Sequence, residues 1–120
     1  MALNDLNWTF FEAVAVPSDI ENLLVEDEIA NDAYRTIRDI AIFTNKRLIV
    51  VDSQGITGKK KEIYSLPYSS INMWSTENAG TLDINAEVEL WTRAGNIKIS
   101  LRKGIDIRRF DKLLANAILK

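Results

Sequence analysis

The stretch "DIAIFTNKRLIVVD", Asp39 to Asp52, constrains the fold more than any other part of the chain. It holds two runs, "IAIF" and "LIVV", that are apolar at successive positions. A half-buried strand alternates apolar and polar residues because its side chains point to opposite faces, so a run without alternation needs cover on both faces. "FTNKRL" joins the runs by a tight turn in which Asn45 is able to take the left-handed conformation. The pair therefore predicts two central antiparallel strands in a sheet packed on both sides.

The same reading extends along the chain from Glu28. Runs rich in β-branched and aromatic residues, separated by turn signals, predict strands over 28–37, 39–44, 47–53, 60–67, 71–77, 82–91 and 96–102. In "TLDINAEVELW" the residues Leu82, Ile84, Ala86, Val88 and Leu90 share one face while Asp83, Asn85, Glu87 and Glu89 share the other. "NIKISLR" repeats the alternation. With "TRAG" as the connecting turn, the antiparallel register that sets Leu90 opposite Ile97 also sets Glu89 opposite Lys98. The chain closes with "GIDIRRFDKLLANAILK", where Asp106 is placed to cap a helix and Ile107, Phe110, Leu114, Ala117 and Ile118 form its apolar stripe.

The N-terminal segment reads differently. Leu6, Phe10 and Val14 at i, i+4 and i+8 predict a short amphipathic helix ended by Pro17. "SDIENLLV" then offers Ser18 with Glu21 three positions on, the spacing of a capping box, and predicts a second short helix ending near Val25. The expected fold is mainly β with helices: about seven antiparallel strands in a curved sandwich or barrel, capped at an open end by the C-terminal helix. Residues 1–27 form an N-terminal helical extension and residues 28–120 the β domain. At 120 residues the chain is long enough for one hydrophobic core and too short for two.

Composition narrows the chemistry. Cysteine and histidine are both absent, which removes disulfides, thiolate metal sites and imidazole acid–base catalysis. "MALNDLNWTFFEAVAVPSD" has no basic start for a secretory signal, and no apolar run approaches the roughly 18 residues that span a bilayer. The expectation is a soluble, cytoplasmic protein, with peripheral membrane contact as the variant. The glycines of "GITGKKK" invite a phosphate-loop reading, but such a loop needs four residues between its glycines, a hydroxyl after the lysine and a following helix. Gly55 and Gly58 are two positions too close, Lys60 takes the place of the hydroxyl, and "KKKEIYSLPY" reads as a strand. The two glycines are turn residues between antiparallel strands.

Charge is distributed unevenly. Residues 1–34 carry eight acids and no Lys or Arg, whereas the remainder carries all 15 basic residues against nine acids, a balance of +6. Two sets of residues follow as candidates. Lys46, Arg47, Lys59, Lys60 and Lys61 are either a solvated loop and strand edge or a basic patch for acidic lipid headgroups or a partner's acidic segment. Trp8, Phe10 and Phe11, with Glu26, Asp27 and Glu28, either belong to the chain's own packing and solvated surface or form a subunit interface. Membrane insertion of the aromatics is disfavoured because Asp5 and Glu12 would be repelled by an anionic leaflet. The carboxylates Asp83, Glu87 and Glu89 lie on one strand face, where cross-strand partners such as Lys98 account for them better than a metal does. Net negative charge, without an aromatic–basic motif, argues against nucleic acid.

The run "RDIAIFTNKRLIVVDSQGITGKKKEIYSLPYSSI", Arg38 to Ile71, resembles the bacterial pleckstrin-homology-like domain family, in which a pattern "RD…FTNKRLI…D.QG.TGKK…S.PY..I" recurs. The likeness continues through "STENAGTLDINAEVELW" and the C-terminal helix, covering about residues 18 to 120. It implies the pleckstrin-homology-like fold and a noncatalytic domain that tends to assemble into ring-shaped oligomers and that has a poorly defined cellular role; no cofactor or metal is expected. It does not imply a phosphoinositide pocket of the eukaryotic type, because "RTIRD" leaves a tight turn with Arg35 and Arg38 where such pockets have a long basic loop. The expectation is a self-associating interaction module, with an anionic-ligand or membrane adaptor as the alternative.

Overall fold

The computed structural model describes residues 6–52, 62–77 and 85–119. Its elements are β1 (Leu6–Phe10), β2 (Glu12–Val14), β3 (Ala30–Arg35), β4 (Asp39–Thr44), β5 (Arg47–Asp52), β6 (Tyr64–Pro67), β7 (Ile71–Glu77), β8 (Ala86–Thr92), β9 (Gly95–Leu101) and α1 (Ile107–Ile118), with 3₁₀ turns over Ser18–Asn22 and Tyr68–Ser70. The strands form two sheets, one in the order β1-β9-β8-β7 and one in the order β2-β3-β4-β5-β6. Every pairing is antiparallel except that of β1 with β9. The result is a sandwich whose end is capped by α1.

The two central strands behave as their composition requires. On the inner face of the second sheet, Ala41, Phe43, Leu48 and Val50 join Phe10, Tyr34, Leu90, Ile99, Phe110 and Leu114 in the main core. On its outer face Ile42, Ile49 and Val51 pack with Ile20 and Ala33 beneath Val14, Val16, Leu23 and Leu24. The N-terminal segment is thus the cover for the outer face.

That segment is where the structure corrects the sequence reading. The residues expected as a first helix are β1 and β2. Leu6, Trp8 and Phe10 all pack toward the main core, and a spacing of four serves a strand's period of two as well as a helix's 3.6. The β-favouring run Trp8, Thr9, Phe10 resolves the ambiguity once β9 supplies a hydrogen-bonding edge. The second expected helix is reduced to the 3₁₀ turn Ser18–Asn22, with no side-chain cap, so the Ser18–Glu21 capping box does not form. Asn45 also departs from expectation. The left-handed backbone belongs to Asp27 (φ 66°), the only non-glycine residue with positive φ among the described residues, and Asn45 contributes its side chain instead.

Among the described residues the hairpin and helix patterns hold, while residues 60–61 and 82–84 of two expected strands lie outside the described residues. In the β8–β9 hairpin Leu90 faces Ile97 and Glu89 faces Lys98. The Asp106 carboxylate accepts from the backbone N–H groups of Arg108 (3.0 Å) and Arg109 (3.3 Å), which caps α1. Phe110 and Leu114 are fully buried, and the Phe110 ring meets Phe10, Tyr34 and Phe43 edge-on at 5.4–5.9 Å with Tyr34 at 5.4 Å. Trp74 Nε1 donates to Asp111 Oδ1 (2.9 Å), tying the helix to β7.

Candidate interaction surfaces

The loop that leads into β3 is built around one buried carboxylate. Glu28 accepts from the Thr44 hydroxyl (2.7 Å) and Arg47 Nε (2.9 Å) at Oε2, and from Arg47 Nη2 (3.1 Å) and the Val25 N–H (3.0 Å) at Oε1. Arg47 is equally committed, since Nη2 also donates to the Leu23 carbonyl (2.7 Å) and Nη1 to the Ser65 hydroxyl (3.1 Å). The guanidinium first of all, with the Val25 and Thr44 donors helping against the cost of burial, holds the Glu28 carboxyl down at about 2. The sequence named Glu28 as a candidate for a subunit interface and Arg47 as a candidate for an anionic-partner patch. The structure places them in one internal ion pair, because a carboxylate this deeply buried needs a cation beside it.

With Glu28 drawn inward, its neighbours turn outward. Asp27 adopts its left-handed conformation, and Asn45 bridges the loop by donating to the Asp27 carbonyl (3.0 Å) and accepting from the Ile29 N–H (2.7 Å). Val25 and Ile29 are left 58% and 62% exposed, large values for apolar side chains held on a braced loop. Beside them lies an open hollow of about 360 Å³ lined chiefly by Val16, Pro17, Ile20, Leu24 and Ile29, with Glu21 at its edge. Asp19, Glu21, Glu26 and Asp27 are all exposed. The hollow mixes these apolar side chains with Ser18, Glu21 and Glu28, and the segment around it exposes acids.

The N-terminal aromatics pack within their own chain. Phe10 is completely buried and stacks on Tyr34 at 5.3 Å, which is the own-chain packing of the two readings left open for it by the sequence. Trp8 is half-buried against Tyr64, ring centres 6.1 Å apart. Phe11 sits where the chain leaves one sheet for the other, its N–H bonded to the Arg35 carbonyl (2.8 Å) and its ring flanked by the guanidinium groups of Arg35 and Arg102, each 5.1 Å from the centroid. Arg35 also pairs with Glu12 (2.9 Å).

The proposed basic cluster is not brought together by the described residues. Lys46 is exposed at the β4–β5 turn, Arg47 is partly buried and engaged in its ion pair, and Lys59, Lys60 and Lys61, like Gly55 and Gly58, lie outside the described residues. Arg47 and Asp52 stand at opposite ends of β5, about 17 Å apart at the usual rise of a strand. Of the carboxylates on one strand face, Asp83 lies outside the described residues, while Glu87 faces Ser100 and Glu89 faces Lys98 and accepts from Asn96 Nδ2 (3.0 Å).

Two features emerge that sequence patterns do not single out. Between α1 and the end of the β3–β4 pair formed by Asn31, Asp32 and Thr44 runs a cleft of about 420 Å³, lined also by Tyr68, Arg109, Lys112 and Asn116 among others. Arg109 and Asp32 face each other at 3.5 Å within it, and Tyr68 is locked by donation to the Thr44 carbonyl (2.7 Å), its phenol pushed up by burial. The other feature is the β3–β4 turn. Thr36 and Asp39 close it with three hydrogen bonds of 2.8–3.2 Å, the shortest, 2.8 Å, from the Asp39 N–H to the Thr36 hydroxyl. Ile37 and Arg38 are thereby pushed outward, Ile37 to 76% exposure.

The model of the bacterial PH domain family matches residues 4–118, which takes in β1 and β2 as well as the strands that follow. The chain is 38% identical over 112 residues to the uncharacterized protein YjqA of Bacillus subtilis, covering 91% of this chain and 90% of that one. It is 32% identical over 95 residues to YozO of the same organism, covering 79% and 82%. Among solved structures, a DUF1696 family protein with a pleckstrin-homology domain from Shewanella loihica superposes with a TM-score of 0.74 at 39% identity, covering 88% of this chain and 97% of that chain. A pleckstrin homology domain from Shewanella amazonensis gives 0.67 at 36% identity, covering 86% and 85%.

Proposed function

The chain belongs to the bacterial PH domain family, and from that premise we propose that it is a nonenzymatic interaction module that binds further copies of itself. Subunits join head to tail, with the acidic N-terminal segment of one lying against basic residues of the next. The observation that carries this reading is the surface around Val25 and Ile29. Its apolar side chains are held outward by a loop braced at Glu28 and Asn45, and the charged residues exposed along the 19–27 segment, Asp19, Glu21, Glu26 and Asp27, are all acidic. A contact between two different surfaces of one chain closes into a ring when its rotation permits. The alternative of an anionic-lipid adaptor loses Arg47 to the Glu28 pair, and its Lys59, Lys60 and Lys61 lie outside the described residues.

The test is light scattering of the purified chain at micromolar concentration and moderate salt. The reading expects a mass of several chains that falls as salt is raised, because part of the attraction is between exposed charges. A single-chain mass under these conditions would overturn it.

A further inference from the structure

The two ends of β3 carry complementary features. At its start lies the hollow formed by Val16, Pro17, Ile20, Leu24 and Ile29, with Asp19, Glu21, Glu26 and Asp27 exposed along this segment. Past its far end, the Thr36–Asp39 turn presents Ile37 at 76% exposure, with Arg35 before it and Arg38 after it. Arg102, which shares the Phe11 ring with Arg35, and Lys103 add exposed positive charge at this end. β3 is six residues long, so the hollow and the turn stand about 20 Å apart and cannot meet within one copy.

We propose that Ile37 of one copy seats in the hollow of the next, with Arg38 against the acidic rim beside Glu21 and Glu26. This rests on the self-association reading above and names its two surfaces. The acidic partner of Arg35 is its own Glu12, so Arg38 is the cation the turn offers outward. The knob is preorganised, since hydrogen bonds between Thr36 and Asp39 fix the turn before any partner arrives, and the hollow is preorganised by the Asn45 and Glu28 bonds that brace its loop. Rigid surfaces lose little freedom on association, which lets a small contact hold. Ile37 with Arg38 beside it complements a hollow lined by Val16, Pro17, Ile20, Leu24 and Ile29 with Glu21 at its edge, and partners lacking either feature fit less well. Because knob and hollow sit at opposite ends of one strand, each copy can engage two neighbours. The contact is therefore heterologous.

Two variants separate the surfaces. Ile37→Asp with Arg38→Glu removes the knob and leaves the hollow; Glu21→Arg, Glu26→Arg and Ile29→Asp spoil the hollow and leave the knob. All five positions are exposed, and thermal melts of each variant check that the fold is retained. Each variant alone is expected to lose association by at least about tenfold in dissociation constant, the effect of losing one buried isoleucine. An equimolar mixture is expected to give a complex of two chains and nothing larger, because each chain keeps one competent surface. If the wild type assembles but both variants keep its mass, or the mixture stays monomeric, the pairing is overturned and self-association stands. If the wild type itself is monomeric, both fall.

Discussion

Replacing Arg47 with Met removes the cation that neutralises a carboxylate buried beneath the acidic loop. The Glu28 side chain is fully buried and that of Arg47 is 23% exposed, so the charge left behind cannot reach solvent without opening the loop. Breaking one side of a buried pair costs about 3–5 kcal/mol, and the partial exposure of Arg47 argues for the lower end. The depression of the Glu28 carboxyl, caused chiefly by the same guanidinium, points the same way. That carboxyl is held at about 2 against an ordinary 4.5, and at about 1.4 kcal/mol per unit this corresponds to about 3 kcal/mol of stability at neutral pH. A carboxylate depressed in the folded state stabilises the fold above its unfolded value, and that contribution is lost as pH falls from about 4.5 through about 2. Urea unfolding at pH 7 should show the variant less stable by about 3 kcal/mol. In a pH series, Glu28→Gln should lack the part of the wild-type slope that lies between those two values. A loss below about 0.5 kcal/mol for Arg47→Met, or equal slopes for wild type and Glu28→Gln, would refute the role given to the pair.

Phe110→Ala should cost about 3–5 kcal/mol in the same assay, because it empties the centre of the aromatic cluster that joins α1 to both sheets. Asp27→Gly should raise the melting temperature by the equivalent of about 0.5–1 kcal/mol, since φ 66° is unfavourable for Asp and free for Gly. A drop in melting temperature would show that the Asp27 side chain outweighs its backbone strain.

Much of this architecture was legible in the residues because it is specified locally. "IAIF" and "LIVV" demanded cover on two faces and received it. Asp106, Leu90 and Ile97 signalled a cap and a register through their immediate neighbours. The N-terminal strands were not legible, since Leu6 and Phe10 satisfy two periodicities and their partner β9 lies some ninety positions away. The candidate surfaces divide in the same way. The separation of acidic from basic residues is visible in the chain, but which charges are consumed internally depends on Glu28 meeting Arg47 across nineteen positions, and that meeting leaves no local trace. Ile37 reads as an ordinary apolar residue of a hairpin until Thr36 and Asp39 are seen to close the turn and push it outward.

The central claim, that this chain recognises copies of itself, is tested most directly by the mass of the untreated protein in solution. Light scattering at micromolar concentration should give a whole-number multiple of the chain mass, two or more, at moderate salt, and a lower mean mass as salt is raised. A mass of one chain at moderate salt would contradict the account.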